Sequence, residues 1–307
     1  ELGMRYDWRK VGIFLLIRSE ELRQRWQERA AILTPAGILT EVIDRQALQS
    51  AEPHMNTHGL LGAAYALEGM LDPLRFSLAY ARAAQQQGAV ILGRSKVTGF
   101  EVQNHQITAV KTKDSVYHAA KVAVMAGAWT SKVTQLAGVT IPIHNTHAEA
   151  LVTERIPPMI YNNVELADFY ETIHGKARAV AIGVHPQLNG SLDISEAVTT
   201  SRKLHKGVSA WGVTSLSKEL VQLYPFLQKT RIVRAWGRPT SFTPDEEPLI
   251  GWVPALENLF VAASLVITIT TVPLLSEWMA LLIQGKMPPV SLEEYSPARF
   301  VQQPVLS

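Results

Sequence analysis

Two segments of the chain are continuously apolar, and each runs into small or hydroxyl-bearing residues. The first, 122–125, leads into Ala126-Gly127-Ala128-Trp129, and the second, 259–263, leads into a threonine-rich loop. Continuously apolar strands are typical of parallel sheets that are covered on both faces. The region between them, 142–236, has more irregular strand patterns. Segments with buried, apolar strands and segments with irregular strands both recur along the chain. The sequence therefore predicts two interleaved domains in a mixed α/β and α+β fold.

We assign residues 62–141 and 237–307 to one domain, and residues 1–61 and 142–236 to the other. Alternation of apolar and polar residues predicts strands, and helical spacing with capping residues predicts helices. Besides the two apolar segments, predicted strands cover 11–17, 89–92, 97–102, 107–112, 115–119, 148–153, 179–183 and 232–236. One predicted helix begins after Ser19, and the others cover 45–49, 74–87 and 272–283.

Composition excludes several classes of protein. The 307 residues include 29 Lys and Arg against 27 Asp and Glu, a net charge of +2. A protein that binds nucleic acid or an anionic membrane would show a larger basic surplus. The absence of cysteine excludes disulfides, thiolate nucleophiles and iron–sulfur clusters. The sequence has neither the G-x-S-x-G motif of hydrolases nor a P-loop.

Two histidine pairs have spacings that can chelate a metal ion on a helix, namely His54 with His58 and His144 with His147. Proline or glycine lies near each pair, and no glutamate completes a zinc-protease pattern. These features favour solvent-exposed histidines, and we expect no metal site.

The longest uncharged stretch lies between Glu257 and Glu277. Its threonines and Pro273 suit a buried strand, loop and helix better than a transmembrane span. The opening Glu1-Leu2-Gly3-Met4 is not followed by a signal-peptide pattern. We therefore expect a cytoplasmic protein without a stable membrane span.

Several motifs that are weak singly occur in a specific order over nearly the whole chain. They are Ser50-Ala51-Glu52-Pro53, Gly69-Met70-Leu71-Asp72-Pro73, Gln87-Gly88-Ala89, Ala126-Gly127-Ala128-Trp129, the segment from Trp236 to Gly251, and Tyr295-Ser296-Pro297-Ala298-Arg299-Phe300. As a set they resemble the family of FAD-dependent amino-acid oxidases and dehydrogenases, the DAO type.

This resemblance implies a truncated Rossmann-type FAD-binding domain interleaved with an antiparallel-sheet domain that binds substrate. It implies an enzyme that oxidises the C–N bond of an amino acid, imino acid or related amine by hydride transfer to flavin N5. Its partner would be this small molecule rather than nucleic acid. Tyr170 would face the substrate. The cofactor-binding residues carried over are Val97, Ala126, Gly127, Ala128, Trp129, Thr268, Thr270 and Thr271.

The family's carboxylate-binding arginine falls in the segment that begins at Trp236. Alignment on Trp236 and Asp245 places Thr240 at that position, whereas alignment on the Arg-Pro pair selects Arg238. A guanidinium can bind a carboxylate through two parallel hydrogen bonds. We therefore favour Arg238, with Arg234 as reserve; ordinary salt bridges are the alternative role for both.

Two features depart from the family pattern. No G-x-G-x-x-G motif with a following acidic residue is found, so we expect that the chain begins after that dinucleotide-binding unit. The loop after Ala263 carries serine and threonines where the family has glycines. These departures favour an alternative, a degenerate family member that acts as a non-catalytic partner subunit without flavin. Either form is compatible with a homo- or hetero-oligomer.

Overall fold

The computed structural model describes residues 3–173, 176–200, 204–265 and 268–300. The chain divides into two compact units, and each is built from separate stretches of sequence. Unit 1 comprises Glu1–Gln87, His147–Thr200 and His205–Arg238, and unit 2 comprises Gly88–Thr146, Ser201–Leu204 and Pro239–Ser307.

The helices and strands alternate along the chain as expected for a mixed α/β protein. In chain order they are β1 (Arg9–Ile17), α1 (Glu20–Leu33), β2 (Thr40–Asp44), α2 (Arg45–Ala51), β3 (Gly62–Met70), α3 (Pro73–Gln86), β4 (Val97–Gln103), β5 (Gln106–Thr112), β6 (Val116–Tyr117), β7 (Val122–Val124), α4 (Thr130–Gln135), β8 (His144–Thr153), β9 (Asn163–Leu166), α5 (Phe169–Ile173), β10 (Arg178–Pro186), β11 (Leu192–Thr200), α6 (Ala210–Leu223), β12 (Ile232–Phe242), β13 (Leu249–Val253), β14 (Leu256–Ala263) and α7 (Thr268–Ile283).

Unit 1 is organised around an eight-stranded sheet in the order β12-β8-β11-β10-β9-β1-β3-β2. Strand β1 pairs antiparallel with β3, from Arg9 opposite Met70 to Ile17 opposite Gly62, and parallel with β9. Strand β10 pairs antiparallel with both β9 and β11. The sheet is therefore mixed, with β9 as the strand that joins its two halves.

The two faces of this sheet differ because successive side chains of a strand point to opposite sides. One face carries apolar residues such as Phe14, Val164 and Ile194, which cluster with Leu216 and Leu220 of α6. On the other face, the registers place six polar side chains close together. They are Glu68 of β3, Asn163 and Glu165 of β9, His185 of β10, and Asp193 and Ser195 of β11.

The assignment of residues 62–87 to the cofactor domain is corrected by the structure, which places them in unit 1. Strand β3 lies between β1 and β2, and its Ala63 and Ala64 are fully buried. At Gly62 the backbone has φ +152°, and a Cβ would lie 2.0 Å from the carbonyl oxygen of Ile43. The register with β1 decides which sheet this strand joins.

Unit 2 contains a three-stranded sheet, β13-β14-β7, and a three-stranded antiparallel meander, β4-β5-β6. Strands β14 and β7 run parallel, with Leu259 opposite Val122 and Val261 opposite Val124. Helix α7 packs on this sheet through Met279. The parallel-type strand predicted for the apolar run before Ala126 is confirmed, although β7 is shorter than that run.

A single buried side chain joins the meander to the sheet of unit 2. Asn258 accepts a hydrogen bond from the backbone N–H of Ile107 at 2.8 Å and donates to the carbonyl oxygens of Ile107 at 2.8 Å and Ala120 at 3.1 Å. Through these three hydrogen bonds, Asn258 holds both elements together.

Most predicted elements are confirmed, including the Ser19 cap of α1 and the helix 74–87. The predicted strand 89–92 is wrong, because these residues belong to none of the sheets of the described residues. Val90, Ile91 and Leu92 are instead exposed. In the part of the chain that the structure describes, no helix has the length and apolar character needed to cross a membrane.

Candidate functional site

The polar face of the unit 1 sheet gathers charged groups with unusual surroundings. Asn163 donates a hydrogen bond of 2.6 Å from Nδ2 to Oε1 of Glu68. Burial raises the pKa of Glu68, and the hydrogen bond from Asn163 opposes this rise. Strands β1, β3 and β9 thus place a carboxyl group and its amide partner beside the next polar residue of β9, Glu165.

Glu165 and His185 form a close pair on this face. Oε1 of Glu165 lies 3.4 Å from Nε2 of His185, and the side chains are 27% and 19% exposed. Burial, with the neighbouring charges of Glu68 and Glu196, raises the pKa of Glu165 to about 7. Burial lowers the pKa of His185 to about 4. At neutral pH the imidazole is therefore neutral and the carboxyl group is close to its titration point.

A glycine provides the space that this pair occupies. Gly183 lies opposite Ser195 of β11 and Glu165 of β9. A Cβ at Gly183 would lie 2.7 Å from Oγ of Ser195 and 2.8 Å from Nε2 of His185. Even alanine would displace one of these side chains, so the glycine is required by close approach rather than by backbone conformation.

The two predicted substrate residues lie at the same face. Arg238 of β12 has its guanidinium 3.8 Å from Oε2 of Glu196 and 5.8 Å above the ring of Trp236. Its side chain is 54% exposed, whereas that of Glu196 is 15% exposed. Tyr170 of α5 has a pKa raised to about 12 by burial and by the charges of Glu165 and Glu196. Arg238 and Tyr170 are therefore linked through Glu196.

Asp193 adds a fourth carboxyl group, after Glu68, Glu165 and Glu196. Its pKa is raised by burial, while the charge of Arg238 opposes the rise. Among the described residues its buried Oδ1 atom has no hydrogen-bond partner. Because an unsatisfied buried acceptor is costly, this atom offers a position for a donor from a ligand.

Glu52 stabilises the segment that leads into β9. It is fully buried, and its carboxylate accepts hydrogen bonds from the backbone N–H of Tyr161 at 3.2 Å, the N–H of Asn162 at 2.9 Å and Nδ2 of Asn162 at 2.9 Å. Burial nevertheless raises its pKa. These bonds fix the residues immediately before β9, and hence the start of the strand that carries Glu165.

The predicted cofactor residues lie in unit 2. Ala126, Gly127, Ala128 and Trp129 follow the carboxyl end of β7, which lies beside the carboxyl end of the parallel strand β14. Gly127 has φ +52°, and no atom lies within 4 Å of the position its Cβ would occupy. Ligands of α/β sheets bind at such carboxyl ends, where backbone groups are accessible.

Ser264 follows directly after β14. It has φ +54° and is 4% exposed, and its Oγ has no hydrogen-bond partner among the described residues. A left-handed backbone is unfavourable for serine and natural for glycine. The structure therefore keeps a glycine-like conformation at the point where the family pattern has glycine, and adds an unpaired hydroxyl group.

The remaining predicted residues are more separated. Thr268, Thr270 and Thr271 lie in the first turn of α7, where Thr268 donates a hydrogen bond of 2.8 Å to the carbonyl oxygen of Leu265. Val97 begins β4 in the meander and is half-buried. Arg234 is exposed on β12, and Thr240 on the same strand has a buried Oγ1 without a partner among the described residues.

The members of the two histidine pairs differ in exposure. His54, His58 and His144 are exposed as expected, but His147 is 1% exposed and its Nε2 lies 2.8 Å from the carbonyl oxygen of Gly207. His147 is buried because it lies on the buried side of β8. The spacing of the histidines in the sequence does not reveal this position. Within the described ranges, no group of three or more metal-binding side chains is suitably arranged.

Sequence reasoning missed Glu68, Glu165, His185, Asp193, Glu196 and Ser264. A signal was present for some of them, since Asn163-Val164-Glu165-Leu166 alternates polar and apolar residues and so places Asn163 and Glu165 on one face. The alternation gives no information on which strands lie beside β9. Their register, set by tertiary packing, brings the pair together.

Charged sheet faces with shifted pKa values, and parallel strand ends with open backbone, are typical of α/β enzymes that use nucleotide cofactors. Comparison with known families makes this specific. The profile of the DAO family, described as FAD dependent oxidoreductase, matches residues 1–282. The chain belongs to this family of FAD-dependent oxidoreductases.

Individual relatives agree with the family. Hydrogen cyanide synthase subunit HcnC of Pseudomonas aeruginosa is 26% identical, over 98% of this chain and 70% of that protein. Mitochondrial sarcosine dehydrogenase of Mus musculus is 28% identical, over 85% of this chain but only 29% of that protein. The crystal structure of glycine oxidase from Geobacillus kaustophilus matches with a TM-score of 0.84 and 20% identity, over 98% of this chain and 78% of that chain. The last likeness shows the fold.

Proposed function

We propose that the protein oxidises the C–N bond of an amino acid or a related amine, with hydride transfer to N5 of FAD. The observation that carries this proposal is the charged face of unit 1, where Arg238, Tyr170 and the Glu165–His185 pair are grouped. Two of the relatives are named for sarcosine and glycine, and both compounds are small amino acids.

The strand ends of unit 2 fit a flavin cofactor. The unpaired Oγ of Ser264, the left-handed backbone at Ser264 and the open side of Gly127 together offer a hydrogen-bonding group and close backbone approach. We propose that Ser264 and Ala126, Gly127, Ala128 and Trp129 hold FAD. When bound there, FAD supplies the electron acceptor for oxidation of the substrate carbon next to nitrogen.

The charged face would bind and orient the substrate. Arg238, which Glu196 holds from one side, offers guanidinium N–H groups to a carboxylate. Oδ1 of Asp193 can accept a hydrogen bond from the amine. The hydroxyl group of Tyr170 is protonated at neutral pH, as in any tyrosine, and can donate a hydrogen bond; its pKa, raised to about 12, extends this to higher pH. Positioning of this kind is the protein's main contribution when a cofactor performs the redox step.

An absorption spectrum of the purified full-length protein with added FAD is the first test. A bound-flavin band that bleaches when an amine is added without oxygen supports the proposal. The substrate panel contains D- and L-amino acids, proline, sarcosine and opines, with an artificial electron acceptor. No flavin band with excess FAD contradicts the enzyme, and supports the non-catalytic partner subunit that the serine- and threonine-bearing loop favours.

The role of Arg238 is tested against Arg234 on the same strand. If Arg238 binds the substrate carboxylate, Arg238→Ala raises KM at least tenfold, because a charged hydrogen-bond pair contributes about 1.5–3 kcal/mol. Arg234→Ala then leaves KM within about twofold. The reverse pattern would assign the carboxylate to Arg234. Unchanged kinetics in both variants would give the arginines a structural role only.

A further inference from the structure

The pair formed by Glu165 and His185 has no role in substrate positioning as described above. The two side chains come from neighbouring strands, and Gly183 leaves the space that they share. Their reactive atoms, Oε1 and Nε2, are 3.4 Å apart. An ordinary hydrogen bond is about 2.7–3.2 Å long, so a small rotation of either side chain would let the two atoms share one proton. The pair is therefore placed to receive a proton.

Oxidation of an amine creates a need for such a group. An amine in neutral water is mainly the ammonium form, whose nitrogen has no lone pair. Loss of a hydride from the adjacent carbon requires that lone pair, because it stabilises the positive charge that develops on the carbon. A substrate that binds as ammonium must therefore first lose a proton to a nearby base.

We propose that Glu165 and His185 together accept the ammonium proton of the substrate before the carbon–hydrogen bond is oxidised. This inference rests on the proposed function. In the step, the substrate N–H bond breaks, its electron pair stays on nitrogen, and the proton forms an O–H bond with Glu165. The neutral imidazole of His185 accepts a hydrogen bond from that new O–H group. No oxidant or reductant takes part, and the charge of the face falls by one negative unit.

The charged and titratable groups of this face suit the role. Glu68 of β3 and Glu196 of β11 act on the charge of Glu165, His185 of β10 lies beside it, and Tyr170 of α5 also interacts with it. Asp193 of β11 and Arg238 of β12 belong to the same face. Burial, together with the charges of Glu68 and Glu196, raises the pKa of Glu165 to about 7, which is close to the optimum for a base that acts at neutral pH.

The test is the pH dependence of kcat/KM in the full-length protein with bound FAD, for whichever amine the wild type oxidises. In the wild type, kcat/KM rises tenfold per pH unit and levels near pH 7. In Glu165→Gln it is about 100-fold lower at pH 7, because acid–base groups contribute about 10²–10⁴-fold. It then continues to rise up to the pKa of the substrate amine, where the free amine is abundant, and approaches the wild-type value.

Two further variants separate proton transfer from structure. Glu165→Asp retains a carboxylate and recovers at least tenfold of the loss at pH 7. Glu41→Gln makes the same chemical change at an exposed position of β2 and leaves the profile unchanged. Thermal unfolding and the flavin spectrum confirm that each variant is folded and loaded.

The outcomes are distinguishable. An unchanged profile in Glu165→Gln, or a loss by the same factor at every pH, overturns the proton-accepting role while the wild-type turnover still supports the proposed function. Absence of turnover by the wild type with every amine of the panel overturns both. Recovery at high pH in Glu165→Gln, together with rescue by Glu165→Asp, supports the pair as the proton acceptor.

Discussion

The charged face of unit 1 and the strand ends of unit 2 offer different chemical groups to the ligands of the proposed function. On the charged face, four carboxyl groups, an arginine and an imidazole crowd together, and burial shifts the pKa values of several of them. At the strand ends of unit 2, the available groups are backbone atoms, small side chains and the buried hydroxyl group of Ser264.

This difference matches the chemistry of the two ligands in the proposed function. A small zwitterion is recognised by charges and moves a proton, so side chains must carry the site. A flavin is large and performs its own redox chemistry, so the protein mainly needs backbone that can approach it closely. Substitutions should therefore change the protonation chemistry in unit 1 and cofactor affinity in unit 2.

The largest expected effect on stability comes from substituting Glu52, which holds the residues before β9. Glu52→Ala removes the buried acceptor of three hydrogen bonds and leaves the backbone N–H groups of Tyr161 and Asn162 without this partner. We expect the free energy of unfolding to fall by about 3 kcal/mol. Urea denaturation measures this change, with Glu41→Ala as the exposed control. A loss below about 1 kcal/mol would show that Glu52 does not hold the residues before β9.

Substitution of Glu165 is expected to increase the stability of the protein rather than to lower it. Its folded-state pKa of about 7 lies above the ordinary value of 4.5, so its contribution to stability is complete below pH 4.5 and is lost as the pH rises to about 7. Glu165→Gln removes this loss. We expect the variant to be more stable than wild type by about 2 kcal/mol at pH 8, allowing for partial solvent access, and similar to it at pH 4.

Urea denaturation at pH 4 and pH 8 measures the stability change at Glu165. Equal stability of variant and wild type at both pH values would contradict the buried, pKa-shifted carboxyl group on which the charged face depends.

The smallest effect is expected at Ser264 in unit 2. Ser264→Ala removes a buried hydroxyl group that has no partner among the described residues, so the FAD-free protein gains about 1 kcal/mol. If the hydroxyl group binds FAD, affinity for FAD falls about five- to tenfold. Ser264→Gly adds relief of the left-handed backbone and is more stable still.

Thermal unfolding and FAD titration measure these effects, with the exposed Ser95→Ala as control. A stability gain without loss of FAD affinity would show that Ser264 is not part of the cofactor site, and that the strand ends act through backbone groups alone.

The sequence by itself indicated most of the elements, the buried, parallel-type character of the apolar strand before Ala126, and the family. These depend on patterns within one segment, such as the Ser19 cap of α1 or the uninterrupted apolar residues of β14. It also selected Arg238 and Tyr170 through the order of motifs, and the structure places both on one charged face, although their roles stay predictions.

Only the tertiary structure decided that β3 joins the sheet of unit 1, that Glu165 meets His185, and that Ser264 adopts a left-handed backbone. The physical reason is that strand register arises from packing between segments far apart in sequence, and a shift of one residue would turn every side chain to the other face. The shifted pKa values follow from that packing, since burial and neighbouring charges exist only once the strands have assembled.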